Sequence, residues 1–348
     1  MGLKLLHSAD WHLDSPFASF PEEERAFLRR EQRRLPGRFL ELALREQPDL
    51  VLLAGDLFDG SPSRETLDTL KHTLRQLEVP VFLSPGNHDH CGAFPWQEEV
   101  WPENVHIFTG GLTSVVLPEL NCRVYGAGYT SMDCPPLLED FRAGGEERYC
   151  IAVIHGDPTA RTSPYCPISA TQVRESGLDY LALGHIHAAG SFRAGCTLCG
   201  WPGCPMGRGW DETGEKGVYR VTLEDTASVT PLSLGFPRFR ELEAEVEEDP
   251  AAILEGLLPP QETADFYRVT LTGDGPVDIH GLKQRFSHIP RLTLLDRTIP
   301  MGDLWEDAGE DSLRGTFFRL LKESPDPDAR AAAKLARRLL SGGEVGIP

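Results

Sequence analysis

The sequence has no uninterrupted apolar run near the ~20 residues that a membrane-spanning helix needs. The opening MGLKLLHSADWH does not read as a secretory signal either: its apolar stretch is short, and Asp10 and His12 follow at once. These absences make the cytoplasm the default address. A basic surplus is also lacking. Lysine and arginine number 34 against 53 acidic residues, a net charge of −19, which argues against broad, sequence-independent adhesion to nucleic acid. Bound divalent ions and a few local arginines can still reverse the field at one site. No disulfide framework is evident, because the eight cysteines are scattered. Cys196, Cys199 and Cys204 form the one cluster, and no second cysteine pair or nearby histidine completes a zinc knuckle.

What is present fits a globular protein of 348 residues, 40% hydrophobic and 25% charged. That length predicts one large catalytic domain and a smaller appendage. Short apolar runs alternate with helical patterns early in the chain. Leu3–His7, Leu50–Ala54 and Val79–Leu83 read as buried strands, with helices over 22–34, 36–46 and 63–77, the last capped by Ser63 or Ser61. Further strands are expected at 105–108, 114–117, 123–125, 150–154 and 180–183, with two more runs between Gly190 and Leu223. Pairs of strands dominate late in this region. The pattern predicts a mixed α/β sandwich over residues 1–234, sheets inside and helices outside. A small α/β segment is expected over 235–303. A helical tail is expected over 304–348, broken at Pro325 and Pro327.

Five short segments stand where predicted strands end: Asp10-Trp11-His12, Gly55-Asp56-Leu57-Phe58-Asp59, Gly86-Asn87-His88-Asp89, Ile154-His155-Gly156-Asp157 and Gly184-His185-Ile186-His187. Ligand sites of open α/β sheets gather at the carboxyl ends of strands. Asp10, Asp56 and Asn87 offer oxygen donors, and His12, His155, His185 and His187 offer imidazole nitrogens. Such a mixed set suits manganese, iron or zinc better than calcium or magnesium. Seven donors suit two ions that share one carboxylate. A pair of ions clamps the oxygens of a transferring phosphoryl group and lowers the pKa of a water between them. Asp-x-His and His-x-His set both side chains on one side of an extended segment. Glycines before Asp56, Asn87 and His185 permit sharp turns.

The blocks HSADWHLDSPF, AGDLFDGSPSRET, SPGNHDH and LGHIH resemble the signature blocks of the calcineurin-like metallophosphoesterases, and among these the bacterial SbcD and YhaO-like DNA-repair exonucleases. The run WPGCPMGRGWDETGEKG (Trp201–Gly217) looks YhaO-like. The resemblance covers roughly residues 3–223 and is faint beyond Arg240. It implies a four-layer α/β/β/α sandwich, followed by a capping-like α/β segment. It implies two divalent ions, manganese first and iron, zinc or magnesium as alternatives. By the resemblance, Asp10, His12 and His187 hold the first ion, Asn87, His155 and His185 the second, and Asp56 bridges them. His88 is then the proton donor or charge stabiliser at the phosphate, and Asp89 orients its ring. Some relatives carry a histidine where this chain has Asp59, which leaves that position's part in substrate contact open.

Arg208, between two glycines, and His90 are further candidates for substrate contact. The arginine run over 25–38 reads either as a phosphate-tracking face or as a helix paired with its own glutamates. In the tail, Leu313, Phe317, Leu320 and Leu321 form one apolar stripe and Ala331, Leu335, Leu339 and Leu340 another. They pack on their own domain or dock a partner. The resemblance implies a coiled-coil ATPase of the SMC type as that partner, and a homodimer stays open. The resulting expectation is phosphodiester hydrolysis, of DNA first. The rivals are the same chemistry on a cyclic nucleotide or other small phosphate ester, and a non-catalytic subunit of an ATPase complex.

Overall fold

A computed structural model describes residues 2–246, 249–273, 277–298 and 304–340. The chain divides into two compact units, one ending at Arg238 and the next starting at Phe239. The boundary expected at residue 303 lies outside the described residues.

In the first unit, β1 (Leu3–Ser8), α1 (Glu22–Arg33), α2 (Leu35–Glu46), β2 (Leu50–Leu53), α3 (Arg64–Gln76), β3 (Val81–Leu83) and β4 (Val105–Ile107) follow one another. Next come β5 (Thr113–Leu117), β6 (Cys122–Gly126), β7 (Tyr149–His155), α4 (Ala170–Glu175), β8 (Tyr180–Gly184), β9 (Gly190–Ala194), β10 (Thr197–Trp201), β11 (Gly217–Leu223) and β12 (Ala227–Ser233). Three strands lie between Gly190 and Leu223, not two, because the Gly195 turn (φ 62°) folds β9 back on β10 as a hairpin.

These strands form two six-stranded sheets, in the orders β12-β11-β1-β2-β3-β4 and β5-β6-β7-β8-β10-β9. β1 to β4 run parallel, as do β6, β7, β8 and β10. Parallel strands buried on both faces read as continuous apolar runs, and all four residues of β2 are buried. Leu5, Leu52 and Phe82 of the first sheet pack with Val124, Ile151 and Tyr180 of the second in one core between the sheets. The opposite pleat face, with Leu6, Val51 and Leu53, is buried as well. The apolar stripes of α1–α3, including Leu28, Phe39, Leu42 and Leu70, supply that cover. A second cluster on the far side of the other sheet holds Ile154, Leu181, Ile168 and Val173 of α4. The result is the expected four-layer sandwich. Ser63 caps α3 by accepting from the Thr66 N–H.

The second unit opens with β13 (Phe239–Val246), α5 (Pro250–Leu257), β14 (Phe266–Gly273), α6 (Ile279–Arg285) and β15 (Leu292–Asp296), a three-stranded parallel sheet with helical crossovers. Its core joins Val269 and Leu271 to Leu254 and Leu282. β13 and α5 lie in an acidic stretch that hides their apolar alternation. α7 (Leu313–Glu323) and α8 (Ala329–Leu340) follow. Among the described residues, Gly315, Phe318, Ala329 and Ala333 are buried, whereas Leu313, Phe317, Leu320, Leu335, Leu339 and Leu340 are exposed. No helix among the described residues is long and apolar enough to cross a membrane.

Candidate metal centre

The carboxyl ends of β1, β2, β3, β7 and β8 meet at one edge of the sandwich, where all five sequence segments lie. His155 is the last residue of β7, and the other donors stand in the loops just past their strands. Asp10, His12 and Asp56 adopt left-handed backbone conformations (φ 53°, 44° and 50°), and His185 has φ 93°. Non-glycine residues rarely sit there, and such strain gathers at functional sites. The Asp-x-His and His-x-His pairs therefore converge through tight turns and not through the extended alternation that their spacing suggests. Gly55, at φ 89°, makes the turn before Asp56. Gly86 serves another purpose: a side chain there would collide with the Asp56 carboxylate.

The donor atoms face one another. Asp10, His12 and His187 offer ligand atoms within 4.8 Å of one another, as do Asp10, Asp56 and His155. His12 Nε2 lies 3.1 Å from His187 Nε2 and 3.8 Å from Asp56 Oδ2. His155 Nε2 is 3.3 Å from Asp56 Oδ2 and 2.9 Å from Asn87 Oδ1, and His185 Nδ1 is 3.2 Å from the same Asn87 oxygen. Asp56 therefore touches both groups.

Outer contacts fix the imidazoles. His155 Nδ1–H donates to the Ala54 carbonyl at 2.9 Å, which turns Nε2 toward Asp56 and Asn87. Asp10 accepts from the His185 backbone N–H at 3.0 Å. Burial pushes His12 down to about 3 and His185 to about 4, so both rings are neutral near pH 7. Burial also works against charge on His155, but the Asp56 carboxylate outweighs it and carries that ring up to about 9. Burial pushes the Asp10 carboxyl up to about 6. Converging lone pairs and shifted acids form a donor set that fits divalent cations of the first transition row. Among the described residues, no group of three or more such donors includes a cysteine. Cys196 is exposed, and Cys199 and Cys204 are buried, the Cys204 thiol against the His187 carbonyl.

Two expectations change with the surroundings of these side chains, and one open choice is decided. Asp89 does not sit beside the His88 ring: its carboxylate accepts from the Gly86 and Leu57 N–H groups at 2.7 Å and from Phe58 N–H at 3.3 Å, tying two loops together. Asp59 takes the expected place, with Oδ1 3.0 Å from His88 Nδ1. His88 itself stands at the rim, its ring 4.7 Å from that of His12. His90 accepts from the Gly92 N–H within its own turn and is not drawn into the cluster. The arginine run is mostly committed elsewhere: Arg34 and Arg38 pair with the buried Glu31, and Arg25 and Arg29 donate to the Phe20 and Pro16 carbonyls. Arg208 does reach the rim, with Nη2 3.1 Å from His187 Nδ1. Sequence reading missed Glu212, which lies 2.6 Å from His187 Nδ1. Its signal was its place in the Trp201–Gly217 block.

A two-sheet α/β sandwich with carboxylates, an amide and imidazoles converging at its strand ends has the donor set of a divalent-metal site. Residues 3–189 match the calcineurin-like phosphoesterase family, and the chain belongs to that family. It is 34% identical over 241 residues to the "uncharacterized metallophosphoesterase YhaO" of Bacillus subtilis strain 168, covering 63% of this chain and 57% of that relative. It is 35% identical over 92 residues to the SbcD component of nuclease SbcCD from Staphylococcus epidermidis, covering 25% and 23% of the two chains. The chain thus spans little more than half of the longer-matching relative. Among solved structures, a dimetal phosphatase from Danio rerio aligns at 14% identity over 66% of this chain and 99% of its own, TM-score 0.40.

Proposed function

We propose that this protein is a two-metal phosphodiesterase that cleaves DNA, working in the cytoplasm as a nuclease component of the SbcD or YhaO kind. The observation that carries the reading is the approach of Asp10, His12, Asp56, Asn87, His155, His185 and His187 to one another from five strand ends. In it, Asp10, His12 and His187 would hold one ion, Asn87, His155 and His185 would hold the other, and Asp56 would be shared between them. Manganese is the first choice. When bound, two such ions polarise the phosphoryl oxygens and make a water acidic enough to act near neutral pH. His88, with Nδ1 engaged by Asp59, presents Nε2 to the leaving oxygen and gives it a proton. The Arg208 guanidinium contacts a non-bridging phosphate oxygen. The likeness to the SbcD component of a nuclease supports DNA as the substrate. The second unit is read as a capping and docking module, and the exposed apolar stripes of α7 and α8 support a coiled-coil ATPase partner.

A second reading has its own support. The net charge of −19 favours a small phosphate ester over a long polyanion. The test is hydrolysis by the manganese-loaded protein of linear duplex DNA beside a cyclic nucleotide and bis(p-nitrophenyl) phosphate. The DNA reading expects DNA cleavage that chelation abolishes. Turnover of the small esters with intact DNA overturns it in favour of the second reading.

A further inference from the structure

Behind the rim of the metal centre, five hydrogen-bond donors converge on one side chain. Glu212 is 3% exposed. Its Oε1 takes the His187 Nδ1–H at 2.6 Å and Arg208 Nη2–H at 2.7 Å; its Oε2 takes the Arg208 backbone N–H at 2.8 Å and, more weakly, the Cys204 thiol at 3.4 Å. Arg208 Nε–H adds a contact to Oε1 at 3.2 Å. A carboxylate buried so deeply stays ionised only with such partners. Burial alone raises the group, yet the bonds from His187 and Arg208 hold it well below the usual carboxylate range.

The arrangement settles two orientations at once. An ionised carboxylate only accepts, so the short contact puts the His187 proton on Nδ1 and turns Nε2 toward His12 and Asp10. The 3.1 Å approach of Arg208 Nη2 to His187 Nδ1 is then a meeting of two donors on one shared acceptor, not a bond between them. On the arginine, Nε and Nη2 are spent on Glu212, while Nη1 has no hydrogen-bond partner among the described residues. The fork is anchored on one edge and presents the other.

From this geometry we infer that Glu212 is a positioning residue that couples cation binding to phosphate binding, by holding His187 for the first ion and Arg208 for the substrate. The inference rests on the proposed function, in that it takes His187 as a ligand and Arg208 as a phosphate contact. A carboxylate bonded to a ligand histidine raises its basicity and locks its ring, and losing such a partner typically weakens metal binding about 10–100-fold.

The experiment titrates manganese into the metal-free full-length protein by calorimetry, for wild type, Glu212→Gln, Arg208→Gln and His187→Ala. KM for bis(p-nitrophenyl) phosphate is measured on the same samples. Glu212→Gln is expected to weaken one of the two ions about 10–100-fold, spare the other and raise KM. Arg208→Gln is expected to raise KM while both manganese affinities stay within about threefold, since the Glu212–His187 bond survives. Wild-type affinity at both sites in Glu212→Gln overturns the inference. An equal loss in Arg208→Gln also overturns it, because the guanidinium and not the carboxylate then holds the ring. His187→Ala separates this from failure of the functional reading: if that variant still binds two ions, the ligand assignment itself falls. Should Glu212→Gln not fold, nitrogen-15 NMR of metal-free wild type decides. The Nδ1–H tautomer of His187 supports the inference, and the Nε2–H tautomer overturns it.

Discussion

His88 Nδ1 lies 3.0 Å from Asp59 Oδ1, and the Ser15 hydroxyl is 3.2 Å from the other oxygen of that carboxylate. The hydrogen bond to Asp59 raises the His88 pKa above the ordinary imidazole value, against the pull of partial burial. A group with a raised folded pKa keeps its proton to higher pH, and whatever depends on that proton is lost as pH rises through the folded value. Asp59→Asn therefore moves the alkaline limb of the pH–rate profile to lower pH. His88→Ala lowers kcat by about 10²–10⁴ while manganese stoichiometry is unchanged. An unmoved limb in Asp59→Asn removes Asp59 from the account of proton transfer.

Asp56 is expected to be the donor whose loss costs most, because it faces His12 at 3.8 Å and His155 at 3.3 Å. Asp56→Asn should bind fewer than two manganese ions per chain. Its hydrolysis rate should fall at least about 10³-fold, since several kcal/mol of charge stabilisation are withdrawn and each ~1.4 kcal/mol is tenfold. Elemental analysis of the purified variant beside a rate assay checks both. Full occupancy of two ions with this residue gone contradicts the bridging role.

Metal binding should also appear as stability. The cluster keeps its carboxylates out of water, with Asp10 fully buried and Asp56 at 1% exposure. An ion that binds only the folded state adds about 2.7 kcal/mol at a hundredfold excess over its Kd. Manganese should raise the melting temperature of the first unit, and chelation should return it to the metal-free value. Calcium should act far more weakly, because imidazole-rich sets disfavour it. Equal shifts with calcium and manganese contradict the imidazole ligands.

Asp89 is expected to behave as a structural residue. Asp89→Asn swaps an acceptor oxygen for a donor NH2 where Gly86, Leu57 and Phe58 N–H groups already point. Leaving a buried donor unpaired costs ~1–3 kcal/mol. The unfolding free energy of the first unit, read from urea titration, should fall by about that amount, with activity lost in proportion to the unfolded fraction. A folded, wild-type-stable variant with no turnover would instead return Asp89 to the catalytic group.

Much of the fold was legible because burial leaves a periodic trace. The runs Leu50–Leu53 and Ile151–Ile154 are apolar on both faces, as strands inside a sandwich must be. β13 and α5 were illegible because exposed glutamates of β13 alternate with its buried positions and swamp the local signal. In α7, hydrophobic spacing marked Leu313, Phe317 and Leu320 as a stripe that packs or docks a partner, whereas Phe318, outside that stripe, is fully buried and they are exposed. Periodicity finds a stripe but not what covers it.

By itself the sequence determined which chemistry was on offer: residues of hard and borderline donor type, each just past an apolar run, and hence at the strand ends of an α/β sandwich. That follows because strand burial and side-chain chemistry are local properties of the chain. Only the tertiary structure decided who serves whom. Asp59 and Asp89 look interchangeable as partners of His88, and Glu212 looks like an ordinary surface acid. Their roles depend on contacts across 25 to 32 residues, between loops whose left-handed turns carry no reliable mark in the residue order.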